Sequence, residues 1–146
     1  MAKMRIGDPW MPAADYSKTL KGVTLNLLVS DVPASVAFAE IVLQAETVYS
    51  DPDFAVLRRC DANWVLHADH TYDNHPLSGF VAGLNGRGAG AELRVHDLDP
   101  DDAESRAREA GYTILAGAAD KGHGLREAYI LDPDGYCWVP DVPVSG

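Results

Sequence analysis

Side chains able to bind a metal or move a proton are concentrated in His67-Ala-Asp69-His70-Thr-Tyr72-Asp73-Asn-His75. A strand followed by a loop can fold imidazole and carboxylate groups around Zn²⁺ or a similar ion. The spacing matches no known structural site, however, and such a loop more often stays solvated or touches a second subunit. His67 stands apart, because its place on a predicted strand aims it into a cleft. Residues two apart on a strand share a face, so Asp69 joins His67, and with the strand residues Asn26, Glu92 and Asp141 they are a candidate polar site if their four strands converge. The same residues would equally serve as a wet cleft wall, as solvent-facing strand ends, or as partners of Arg94. His123 and Arg126 lie in Asp120-Lys-Gly-His-Gly-Leu-Arg126-Glu127. Gly122 and Gly124 let that loop either close on an anionic or planar ligand or act as a plain hairpin entrance. Burial tunes a histidine or carboxylate toward neutral pH, so His67 and Glu92 are the candidates for a metal-free general base. Nucleophilic and nucleotide chemistry find no support: Gly-x-Ser-x-Gly, a phosphate-cradling glycine loop and a dinucleotide fingerprint are all missing from the sequence.

These side chains need strands to hold them. Gly22-Val-Thr-Leu-Asn-Leu-Leu-Val29 alternates as a strand with Val23, Leu25, Leu27 and Val29 on one face. Ser30-Asp31-Val-Pro33 caps a helix running to about Leu43, and strands follow near 45–49, 54–60 and 63–68. After a polar stretch the order restarts. Residues 91–95 read as a strand, Asp99-Pro100-Asp-Asp opens a second helix, and Gly111 ends it. Strands near 112–116, 126–131 and 136–141 complete the chain, the last two joined by Asp132-Pro-Asp-Gly135 in a tight turn. Trp64, Leu66 and Trp138 fall on the core-facing parity, whereas Trp10, Tyr49, Phe54 and Tyr129 remain available to a cleft.

Composition restricts the partners. Twelve Lys+Arg against 22 Asp+Glu give a net charge of −10 over 146 residues, with no basic cluster, so nucleic acid and anionic membrane are poor partners. The apolar runs are too short to span a bilayer and the N-terminus does not read as a signal peptide, which leads to a cytoplasmic expectation. Cys60 and Cys137, with no Cys-x-x-Cys spacing, read as small reduced strand residues.

The two halves also match each other. Leu27-Leu-Val-Ser-Asp31-Val lies over Leu93-Arg-Val-His-Asp97-Leu, and the segment from Cys60 to Asp69 lies over that from Asp132 to Asp141. The chain therefore reads βαβββ twice. Leu-Leu-Val-Ser-Asp31-Val-x-x-Ser35-Val-Ala-Phe38 and Tyr-Ile-Leu-Asp132-Pro-Asp-Gly135, set in duplicated modules, resemble the vicinal oxygen chelate superfamily. That group holds glyoxalase I, extradiol dioxygenases, fosfomycin-resistance transferases and bleomycin-resistance proteins. The resemblance covers residues 22–142: module one 22–69, a linker 70–89 and module two 90–142, preceded by an N-terminal arm 1–21. It departs from the family where Ala39 replaces the usual Tyr and Gln44 the usual Gly.

The resemblance implies an α+β fold, with two tandem βαβββ modules forming a cupped mixed sheet and ligand bound in the cleft between them, often around a divalent metal. The positions that supply metal ligands in the family are here Thr24, Gly90, Val139 and His67. Only His67 is competent, which implies a protein without a resident metal or other cofactor. The implied function is that of a bleomycin-resistance-like homodimer, which sequesters a small organic molecule or antibiotic-like compound in the inter-module cleft. The acidic composition suits a cationic or polar ligand. An alternative is a metal-dependent lyase, isomerase or dioxygenase holding a divalent ion at a displaced site of His67, Glu92 and Asp141.

Overall fold

A computed structural model describes residues 3–144. The chain divides into two compact units, Met1–Val36 with Ala45–Ala82, and Ala37–Gln44 with Gly83–Gly146. In the first unit, β1 (Asn26–Val29), β2 (Glu46–Ser50), β3 (Phe54–Arg59) and β4 (Ala62–Ala68) form one sheet in the order β1-β4-β3-β2. β1 runs parallel to β4, and the other pairs are antiparallel. The second unit repeats the plan. β5 (Leu93–His96), β6 (Thr113–Asp120), β7 (Leu125–Leu131) and β8 (Cys137–Pro143) pair in the order β5-β8-β7-β6, again with the first strand parallel to the last. The duplicated βαβββ reading thus describes the fold. No helix among the described residues is long and apolar enough to cross a membrane.

Two strand expectations need correction. β1 starts at Asn26, not Gly22, and Val23 is 95% exposed while Leu27, Leu28 and Val29 are all buried. The apparent alternation from Val23 has no partner strand beneath it. Once pairing begins, the parallel strand is covered on both faces and reads as a continuous apolar run. Cys60 is an exposed turn residue at φ 51°, not a strand residue, whereas Cys137 is buried in β8.

Helix ends follow the local chemistry. The helix Val32–Leu43 is capped by Asp31, whose side chain accepts from the Ala34 amide at 3.1 Å. Its C-terminal half belongs to the second unit, where Arg106 donates to the carbonyls of Ile41 (2.8 Å) and Val42 (3.0 Å). Those carbonyls lack helical partners, so the guanidinium supplies them and complements the negative helix end. The helix Pro100–Ala110 is capped by Asp99, which accepts from the amides of Asp101 and Asp102.

Asp132 organises the turn between β7 and β8. Its Oδ1 accepts from the amides of Asp134 (2.9 Å) and Tyr136 (3.0 Å), and its Oδ2 from the indole of Trp138 (3.1 Å). Gly135 sits at φ 85°, and a Cβ there would lie 2.0 Å from the backbone oxygen of Asn85. Both conformation and space therefore demand glycine. Gly135→Ala should destabilise the protein by about 3 kcal/mol, combining left-handed strain with a backbone clash. A urea-unfolding midpoint unchanged from that of the native chain would disprove the constraint.

Candidate functional site

Within the first unit the parallel pairing of β1 with β4 sets Asn26 beside Val65 and Leu28 beside His67, bringing the Asn26 and His67 side chains together. His67 Nδ1 lies 2.7 Å from Asn26 Oδ1, and Asn26 Nδ2 donates to the Tyr72 hydroxyl at 2.8 Å. In this amide orientation the oxygen faces Nδ1, and because an amide oxygen only accepts, it pairs with the tautomer that carries the proton on Nδ1 and leaves the lone pair on Nε2. Burial lowers the His67 pKa below its ordinary 6.5, which keeps the ring neutral. Its faces meet Phe54 and Tyr72, with ring centroids 4.9 and 5.4 Å away.

The chain ahead of β1 builds the rest of this site. Asp53, buried in the link between β2 and β3, accepts from the amides of Met4 (2.6 Å) and Arg5 (3.2 Å) and meets His70 Nε2 at 2.7 Å. Arg5 Nη1 stands 3.5 Å away. Burial alone would raise the Asp53 pKa, but the His70 contact and the two amides outweigh it and hold the carboxyl below its ordinary 3.8. The tethered segment then crosses the sheet through a short helix, Ala13–Ser17. Trp10 stacks on Tyr49 at 5.2 Å and 11°, and Tyr16 meets Phe54 edge-on at 5.8 Å. Tyr49 in turn donates to Asp51 at 2.5 Å. Between this segment and the sheet lies a cavity of about 480 Å³, whose walls include Arg5, Trp10, Tyr16, Thr24, Asn26, Tyr49, Phe54 and His67.

The polar groups of the second unit close on one another instead. Glu127 and Asp141 face across the β7–β8 ladder, both almost fully buried, and both bind the Nη2 of Arg94. Tyr129 donates to the other Glu127 oxygen at 2.7 Å, and its pKa is pushed up to about 12, first by that bond and then by burial. Burial by itself would raise the Glu127 pKa, but Tyr129 and Arg94 reverse the shift. Glu92 reaches Arg94 at 3.3 Å, His96 Nδ1 reaches Asp141 at 2.8 Å, and His123 Nε2 lies 3.4 Å from Glu127.

The residues anticipated around one cleft therefore divide. Asn26 and His67 join in the first unit, and Glu92, Arg94, Asp141 and His123 in the second. Asp69 does not share a strand face with His67, because β4 ends at Ala68 and Asp69 opens a 3-10 turn to Tyr72. Arg126 points to Asp101 and Asp120 at 2.7–3.0 Å, away from the Arg94 cluster's contacts. Arg5, Asp53 and Glu127 were not anticipated, and Tyr72 was named only as part of the His67–His75 stretch. Asp51-Pro-Asp53 has the residue types of a turn, which says nothing of what docks there.

A divalent metal does not fit these residues. Thr24, Gly90 and Val139 offer no ligand at the family positions, and the guanidinium of Arg94 already fills the space between the buried carboxylates of Glu127 and Asp141. Among the described residues no group of three or more His, Cys, Asp or Glu side chains is arranged to hold an ion. Replacing Arg94 by Met should cost about 3 kcal/mol at neutral pH, the low end for breaking a buried pair because the guanidinium is partly open to water. With the cation gone, burial would push the Glu127 carboxyl upward. Folding would then favour its protonated form, so the deficit should shrink as pH falls below neutrality. Denaturation curves showing a pH-independent deficit would contradict this assignment.

No protein-family model matches the chain, and no curated protein matches it in sequence. Solved structures do match in shape. A glyoxalase/bleomycin resistance protein/dioxygenase from Nocardioides superposes with a TM-score of 0.64 at 20% identity, covering 91% of this chain and 93% of its own. A glyoxalase/bleomycin resistance protein/dioxygenase family enzyme from Burkholderia phytofirmans PsJN gives 0.69 at 19% identity, over 83% and 97%. TioX from Micromonospora sp. ML1 gives 0.61 at 19%, over 86% and 98%. With its two βαβββ modules and these likenesses over most of its length, the chain has the glyoxalase/bleomycin-resistance fold of the vicinal oxygen chelate superfamily.

Proposed function

We propose that this chain is a small-molecule-binding protein, which takes an organic ligand into the cavity of its first unit without a resident metal. The cavity carries the reading. Its volume of about 480 Å³ suits a drug-sized molecule, and Trp10, Tyr16, Tyr49 and Phe54 give it apolar, π-rich walls with few polar groups between them. The two acidic side chains in the wall are already engaged. Asp51 takes Tyr49 and two backbone amides, while Asp53 takes His70 and the amides of Met4 and Arg5. Lys3 and Arg5 also line the cavity, so the acidity of the whole chain does not extend into it. This favours a neutral or anionic ligand over the cationic one that bulk charge suggests.

The metal-dependent alternative requires His67, Glu92 and Asp141 to share an ion. No observation favours it, since both Glu92 and Asp141 are turned onto Arg94, and among the described residues no group of three or more His, Cys, Asp or Glu side chains is arranged to hold an ion.

Titrating chelator-treated protein with a panel of aromatic compounds, followed through tryptophan fluorescence and elemental analysis, tests the reading. Saturable binding at no more than trace metal is the expected outcome, weakened about tenfold by Trp10→Ala, which removes a wall worth roughly 1.4 kcal/mol. Binding that disappears with chelator and returns only with a divalent ion would sink the proposal.

A further inference from the structure

Resting on the reading of the first unit's cavity as a binding site, we infer that it selects a planar aromatic ligand carrying a hydrogen-bond donor, a phenol or a ring N–H, which is read by Nε2 of His67. The ring's orientation and tautomer are both set from behind. Asn26 turns its Oδ1 to Nδ1 at 2.7 Å and its Nδ2 to the Tyr72 hydroxyl at 2.8 Å, and in that orientation it takes the Nδ1 proton. A flipped Asn26 amide would turn its NH₂ toward Nδ1 and make Nε2 the donor, so the amide orientation is what sets the face His67 presents. Nε2 has no partner among the described residues, and His67 lines the cavity. The imidazole therefore shows the ligand an acceptor and no donor. A ligand without a donor would leave that lone pair desolvated and unmet, which discriminates more strongly than loss of an apolar contact.

Planarity comes from the walls. Trp10 and Tyr49 stack on each other and present one joined ring surface to the cavity, and Phe54 flanks the His67 ring at 4.9 Å, so aromatic rings make up much of the wall around His67. A flat aromatic presents π surface to these rings and its in-plane donor to Nε2. Asn26 is thus a positioning residue, which acts on the ligand through His67.

A matched probe pair tests this: 2-naphthol, which donates, and 2-methoxynaphthalene, which has the same ring system and cannot. Both are titrated into the full chain at neutral pH, with quenching of tryptophan fluorescence as readout and Trp10→Phe as control. The expected result is at least about tenfold tighter binding of 2-naphthol. His67→Phe should abolish that preference by weakening 2-naphthol alone. Asn26→Leu should reduce it, and Asn26→Asp, which keeps an acceptor for the Nδ1 proton, should restore it at a pH where the imidazole stays neutral, because the new carboxylate favours the imidazolium. Nitrogen-15 NMR, with the His67 signals assigned by their loss in His67→Phe, should show the Nδ1–H tautomer in the native chain and a tautomer mixture in Asn26→Leu. Equal affinity for the two probes, an Nε2–H tautomer, or a preference untouched by Asn26→Leu would overturn the inference and leave the binding function standing. If neither probe binds saturably, the cavity is not the ligand site, and both conclusions fall together.

Discussion

A buried carboxylate decides whether the first unit has a cavity at all. Asp53 holds the amides of Met4 and Arg5, the Arg5 side chain and His70 around one pair of oxygens, and a buried anion so placed is stable only while those donors stay with it. The tether fixes where the following residues cross the sheet. From that crossing come the Trp10–Tyr49 stack, the Tyr16–Phe54 contact and the half-open cavity in front of His67. Without Asp53, β2, β3 and β4 would present an open face carrying exposed aromatics.

The two modules share a plan and have diverged in chemistry. In the first, the last strand brings His67 to the cavity, where burial lowers its pKa and its Nδ1 meets Asn26 Oδ1. In the second, Val139 stands in the corresponding place, fully buried, and the polar residues lie further along, where Glu127 and Asp141 oppose each other. Two carboxylates so close and so buried repel unless a cation lies between them. A metal ion is one solution, and Arg94 is another that needs no outside supply. Its guanidinium, held protonated by Glu127 first and then Asp141, serves as an internal counter-ion and turns a potential chelating cluster into a structural tie between β5, β7 and β8.

The sequence by itself determined the module plan, because that plan rests on rules that act over a few residues. Asp31 and Asp99 start helices by accepting orphan amides, Gly111 ends one at φ 86°, and Asp132 with Gly135 folds the turn between β7 and β8. Trp64, Leu66 and Trp138, placed in the core by their period, are buried there. Tertiary structure alone decided the sites. Asp53 with Met4, Asn26 with Tyr72, and Arg94 with Glu127 and Asp141 join residues more than thirty positions apart. Residue type and spacing show that each is polar but not which partner will satisfy it. The same limit explains the errors. Val23 alternates like a strand residue yet has no strand to pair with, and Asp69 keeps parity with His67 only in a strand that ends one residue earlier. Periodicity describes what a segment offers, whereas burial and hydrogen-bond partners exist only once distant strands have closed around it.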